Sequence, residues 1–147
     1  MEYKTIIENE KNEEISKFLH MKIREYNDYT SMYHREIRKP DSVQSVNIII
    51  ENTDNEWVGG LTGEVYWKWL EIKYFWLHEN YRKNGIGTEI LKEAERIAIL
   101  HGCDKVFLST FEFQGRTFYE KNGYRIVGKL DDYPPGSTFY WMSKKLL

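Results

Sequence analysis

The chain has 147 residues, enough for one domain with a core of its own and no dependence on disulfides or metals. Acidic and basic residues nearly balance, 23 against 21, so no broad positive face for nucleic acid is expected. One cysteine, no Cys/His metal spacing, a charged N-terminus and no apolar run near about twenty residues exclude an internal disulfide, a zinc signature, a signal peptide and a membrane span, which makes cytoplasm the expected location.

Residues 3–8 read as a first strand. Residues 13–29 read as a helix, with apolar positions at 15, 18, 19, 23 and 26. Residues 29–42 are less regular and end near Pro40. A strand is expected over 43–51, a turn at Thr53-Asp54-Asn55-Glu56, a second strand over 57–67 and a third over 70–78, joined by tight turns. These three form an antiparallel meander. Apolar residues at 86, 90, 91, 94, 97 and 98 mark a helix that runs to His101. A strand follows at 105–110, and the strands at 70 and 105 are then the parallel arms of a βαβ crossover. A short helix ends at Gly123, and strands over 124–130 and 139–145 close the chain, joined by Asp131-Asp132-Tyr133-Pro134-Pro135-Gly136-Ser137. No repeat or linker breaks this order, so residues 1–147 read as a single domain.

The segment Arg82-Lys83-Asn84-Gly85-Ile86-Gly87 sits between the 70–78 strand and the helix after it. A strand, a glycine turn and a helix N-terminus make an anion-binding device, because unpaired N–H groups and the helix dipole both face the turn. A dinucleotide fingerprint would need a third glycine where Ile90 stands, and a P-loop would need Gly-Lys-Ser/Thr. The third option is the pyrophosphate loop of acetyl-CoA-dependent N-acetyltransferases, Arg/Gln-x-x-Gly-x-Gly/Ala, matched by Arg82, Gly85 and Gly87.

Downstream, Phe118-Tyr119-Glu120-Lys121-Asn122-Gly123-Tyr124 matches the Phe-Tyr-Glu-Lys-x-Gly-Phe/Tyr helix of one superfamily at every fixed position. With both motifs and the order of elements between them, the chain resembles the GNAT N-acetyltransferases. The resemblance is strong over 57–145 and thin over the first forty residues. It implies an α+β (mixed α/β) fold, the GNAT-like acyl-CoA N-acyltransferase fold. In that fold a mixed, mostly antiparallel sheet is flanked by helices and splayed where its central parallel pair separates. It implies acetyl-CoA as co-substrate and an amine as acceptor.

Carried over by position, the resemblance assigns the backbone of Phe75, Trp76 and Leu77 to the pantetheine and that of Lys83, Asn84, Gly85, Ile86, Gly87 and Thr88 to the pyrophosphate. The Lys83 and Arg82 side chains supply added charge. It makes Tyr119 the acid that protonates the leaving thiolate and the Leu77 N–H the oxyanion donor, at a strand bulge. Candidates for the base are Glu71, then Glu112 and His78. Glu112 departs from the Asn common in the family. Acceptor contacts are expected from Tyr26, Tyr29, Met32, Tyr33, His34, Arg35 and Glu36, with Asp131, Asp132 and Tyr133 from the last loop, an aromatic and acidic lining suited to a small cationic amine. Peptide or protein amines are rival acceptors. A non-catalytic acyl-CoA sensor is the alternative, and a nucleotide-binding module a third reading. Neither nucleic acid, membrane nor metal is an expected partner, and the chain is a monomer or a homodimer.

Overall fold

The computed structural model describes residues 1–147, which divide into two compact units, 1–40 and 41–147. The first unit holds α1 (Glu13–Thr30) and α2 (Met32–Glu36). Asn12 caps α1, its side-chain oxygen accepting the N–H groups of Glu14 and Ile15, and Glu13 and Glu14 meet the positive end of the dipole. Ser31 closes α1 by donating its N–H to the Asn27 carbonyl at 2.8 Å, and its hydroxyl caps α2 by accepting from the His34 N–H. Arg38 reaches back to Asp28 at 2.9 and 3.0 Å, tying the two helices. The strand expected over 3–8 does not form. No backbone hydrogen bond involves residues 1–11, and a run of strand-favouring residues becomes a strand only when another strand pairs with it.

The second unit is a six-stranded sheet of β1 (Gln44–Glu51), β2 (Trp57–Tyr66), β3 (Trp69–Leu77), β4 (Lys105–Phe111), β5 (Arg125–Asp131) and β6 (Thr138–Lys145), in the order β1-β2-β3-β4-β6-β5. All neighbours are antiparallel except β3 and β4. The β2–β3 hairpin turns through Trp67 and Lys68, both at positive φ, the primed turn that suits the twist of a two-residue loop. Helix α3 (Ile86–Leu100) lays Ile90, Leu91, Ala94 and Ala98 on β1, β2 and β3. The short α4 (Arg116–Lys121) follows β4. Leu70, Leu91, Cys103, Val106 and Met142 are the fully buried centre.

Two irregularities shape the middle of this sheet. The parallel pair β3–β4 is bonded only at Trp69/Lys105, Leu70/Val106 and Glu71/Phe107; beyond Glu71 the strands part and leave a V-shaped gap. Opposite, the β2–β3 register shifts because Ile72 pairs with Gly63 and Tyr74 with Thr62, so Lys73 is a bulge. The bulge expected beside Leu77 therefore lies four residues earlier. Its effect is to change which side chains face α3 along the rest of β3.

Candidate active site

The glycine turn begins where β3 ends. A one-turn helix, Glu79–Tyr81, is capped by His78, whose Nδ1 accepts the Asn80 N–H at 3.2 Å. Arg82 is extended, Lys83 and Gly85 are left-handed at φ 63 and 81, and α3 starts at Ile86. The first helical bond runs from the Glu89 N–H to the Gly85 carbonyl. The N–H groups of Lys83 through Thr88 have no hydrogen-bond partner in the protein, which leaves a concave set of donors at the positive end of a fifteen-residue helix. Gly87 sits against α4. A Cβ there would lie 3.3 Å from the Phe118 ring and 3.9 Å from that of Phe75. The Arg82 side chain takes a local role, with Nε donating to the Leu77 carbonyl at 2.8 Å, and that of Lys83 is exposed.

The β3 edge facing the gap can be read from its ladder. The His78 N–H donates to the Val58 carbonyl at 2.8 Å, so 58 and 78 are a bonded pair. Bonded pairs alternate along an antiparallel ladder, so Gly60/Trp76 and Thr62/Tyr74 are bonded as well. The backbone of Trp76 thus faces β2, whereas Phe75 and Leu77 turn theirs to the gap. Arg82 occupies the Leu77 carbonyl. The Phe75 N–H and carbonyl and the Leu77 N–H remain open.

Tyr119 closes the third side. Its ring packs 5.3 Å from Phe118, 6.4 Å from Phe75 and 5.7 Å from Tyr124. Gly115 admits it closely, since a Cβ there would lie 3.0 Å from the ring. The residue is 8% exposed, burial pushes its phenol up to about 12, and its hydroxyl has no partner in the protein. The strand edge, the glycine turn and α4 therefore converge on one place. Sequence reasoning missed that Phe118, adjacent to the tyrosine, is the plate joining them, 5.7 Å from Phe75 and against Gly87.

The three candidate bases are differently placed. Glu71 belongs to the last β3–β4 pair before the gap, at its vertex. Leu70 and Ile72 point into the core with α3, so Glu71 faces the other side of the sheet, where it accepts the Tyr66 hydroxyl at 2.7 Å. Glu112 is bound by the Tyr140 hydroxyl and by Arg116 at 2.9 Å, and these partners hold its carboxyl below the usual range. It lines a concavity of about 510 Å³ with Phe113, Arg116, Tyr140 and the backbone turn at Gly136–Thr138. His78 has its Nδ1 lone pair engaged by Asn80. Of the acceptor residues expected from sequence, Tyr26 to Glu36 lie on the two helices of the first unit, and Asp131, Asp132 and Tyr133 on the β5–β6 hairpin of the second. No helix is long and apolar enough to cross a membrane.

A family model described as the acetyltransferase (GNAT) family matches residues 9–124. Over 92 residues the chain is 37% identical to a blasticidin-S acetyltransferase of Streptomyces morookaense, covering 62% of this chain and 68% of that protein. The crystal structure of an acetyltransferase from Bacillus cereus ATCC 14579 is 32% identical, with a TM-score of 0.81 over 96% of this chain and 97% of that one. An aminoglycoside 6'-N-acetyltransferase complexed with coenzyme A shares the fold at 22% identity and a TM-score of 0.60, over 92% of this chain and 90% of that one.

Proposed function

The chain belongs to the acetyltransferase (GNAT) family, with acetyl-CoA as its co-substrate, and on that premise we propose that it moves the acetyl group to the amine of a small cationic acceptor by direct attack in a ternary complex. The observation that carries this is the convergence of the open Lys83–Thr88 N–H groups, the unpaired edge of β3 and the Tyr119 ring.

In this reading the diphosphate lies in the N–H concavity, and the pantetheine arm runs back along β3 in place of the missing β4 partner. The arm meets the Leu77 N–H first and the Phe75 groups next, with its acetyl end toward the vertex at Glu71. The oxyanion donor is then the Phe75 N–H, deeper than the Leu77 N–H expected from sequence, and Trp76 takes no backbone part. Glu71 is the base, acting from the face of the sheet away from α3. Its task is substantial, because freeing an alkylamine of its proton at pH 7 costs roughly 4–5 kcal/mol.

Attack forms the C–N bond and a tetrahedral oxyanion, and collapse breaks the C–S bond. Tyr119 gives its proton to the departing sulfur. A phenol at about 12 facing a thiol near 8.5 makes full transfer uphill by about 5 kcal/mol, so the phenolate does not accumulate. The proton lost by the amine, relayed through water and Glu71, restores it. The net products are an amide and coenzyme A thiol.

Support for a small acceptor comes from the aromatic and acidic residues of the β5–β6 hairpin, Asp131, Asp132 and Tyr133, and from the name of the Streptomyces relative, a blasticidin-S acetyltransferase. The test is calorimetry with coenzyme A and acetyl-CoA, then colourimetric thiol release with blasticidin S, a streptothricin, spermidine and a peptide with a free N-terminus. Binding with release for at least one small amine is expected. Release with the peptide alone reassigns the acceptor, binding without release for any amine leaves a sensor, and no binding removes the reading.

A further inference from the structure

Helix α4 has six residues, too few to hold its own shape, yet it carries Tyr119. What holds it lies at its C-terminus. Gly123, at φ 89, donates its N–H to the Glu120 carbonyl at 3.1 Å, and the Tyr124 N–H donates to the carbonyl of Tyr119 itself at 3.0 Å. This is the paired Schellman closure. The Tyr124 ring stands edge-on to the Tyr119 ring at 5.7 Å, so Tyr119 is held by the same neighbour through backbone and side chain.

Tyr124 is in turn anchored. Its hydroxyl donates to Glu95 Oε1 at 3.0 Å, and Lys144 Nζ donates to both carboxylate oxygens of Glu95 at 3.0 Å. The same Nζ lies 5.6 Å from the centre of the Tyr124 ring. Glu95 is the one charged residue in the buried set, and Tyr124 is 3% exposed. Glu95 belongs to α3, whose first turn bears the anion-binding donors, and Lys144 to β6. A buried ion pair adds little net stability over apolar packing of the same volume. A carboxylate held by two donors through three hydrogen bonds does fix a direction, which apolar contacts cannot.

We propose that Glu95, Lys144 and Tyr124 are positioning residues that lock the place of the Tyr119 hydroxyl to α3, so that the helix that grips the cofactor also sets where the sulfur's proton donor stands. The proposal rests on Tyr119 being that donor. The locking acts through Tyr119 alone, which separates it from a general contribution to folding.

Thiol release from acetyl-CoA is measured with hydroxylamine, an amine already neutral at pH 7, for the unmodified protein, Tyr119→Phe, Tyr124→Phe and the double variant. Tyr124→Phe removes one oxygen and should lower kcat about tenfold while KM for acetyl-CoA stays within about twofold. In the Tyr119→Phe background the same change should do nothing further, because two residues acting through one atom are not additive. An unchanged kcat, an equal fall in both backgrounds, or an effect confined to KM overturns the locking and leaves Tyr119 in its role. Full turnover by Tyr119→Phe removes both. If Tyr124→Phe does not fold cooperatively, Glu95→Met, which fills similar space, removes the acceptor of the Tyr124 hydroxyl and leaves the partly exposed Lys144 free to reach water, takes its place with the same expected outcomes. If hydroxylamine accepts no acetyl group, the ring-carbon NMR lines of Tyr119, assigned by their loss in Tyr119→Phe, decide. They should shift and average in Tyr124→Phe, and unaltered lines reject the proposal.

Discussion

At the scale of single residues, Tyr119 combines two properties that pull against each other. Burial limits water's access to its unpartnered hydroxyl, and the same burial makes it a weaker acid, near 12. It is therefore fully protonated across the working range, and its own ionisation should put no falling limb on the rate below about pH 10. The rising limb should belong to the amine and its base. Tyr119→Phe should lower kcat about a hundredfold or more with acetyl-CoA affinity nearly unchanged, read from kcat and from calorimetry. Arg82 teaches a different lesson. A basic residue at the head of a phosphate turn invites assignment to the phosphate, but its Nε closes the Leu77 carbonyl, an acceptor that β4 has left open.

At the scale of elements, the site is a junction of one strand edge, one helix start and one short helix, and Gly87 is where the last two touch. Gly87→Val would put a branched side chain into a ring already 3.3 Å from an ideal Cβ. Overpacking of this kind costs about 1–3 kcal/mol, and the helix start has to yield. The dissociation constant for coenzyme A should rise about tenfold by calorimetry with the fold intact. The glycine turn and the Phe118–Tyr124 motif at the end of α4 were legible in the sequence because each is local, with turn, cap and helix start inside about a dozen residues. The features that needed the structure are those set by distant pairing. Which of Phe75, Trp76 and Leu77 faces the gap follows from a bulge at Lys73, and nothing in the residue pattern marks a register slip there. Residues 3–8 are rich in strand-favouring Tyr, Thr and Ile, yet pairing decides whether a strand exists. Glu95 meets Tyr124 and Lys144 from 29 and 49 residues away, and on the page it reads as one more acid on an amphipathic helix.

At the scale of the whole molecule, four phenols are held protonated by the fold. Tyr119 is raised to about 12 by burial, Tyr124 by burial and by Glu95, Tyr66 by burial and by its bond to Glu71, and Tyr140 by its bond to Glu112. Their folded values lie above the ordinary value of 10.0, so the unfolded chain releases these protons first. The stability they contribute is complete below pH 10 and is lost as pH climbs through the folded values. Tyr119 alone accounts for about 2–3 kcal/mol of that loss by pH 12. Urea midpoints taken from pH 9 upward should fall steeply, and less steeply in Tyr119→Phe. An equal slope in both proteins would show that Tyr119 is not held out of water.

The rejoining of β3 and β4 at Glu71 and Phe107 has one more consequence. In the pose proposed for the thioester, along the open edge, the point where the two strands zip together would be the floor of the slot. A longer chain on the sulfur would then have to unzip a hydrogen-bonded ladder to fit, and the sheet itself would act as a ruler for the donor's carbon count.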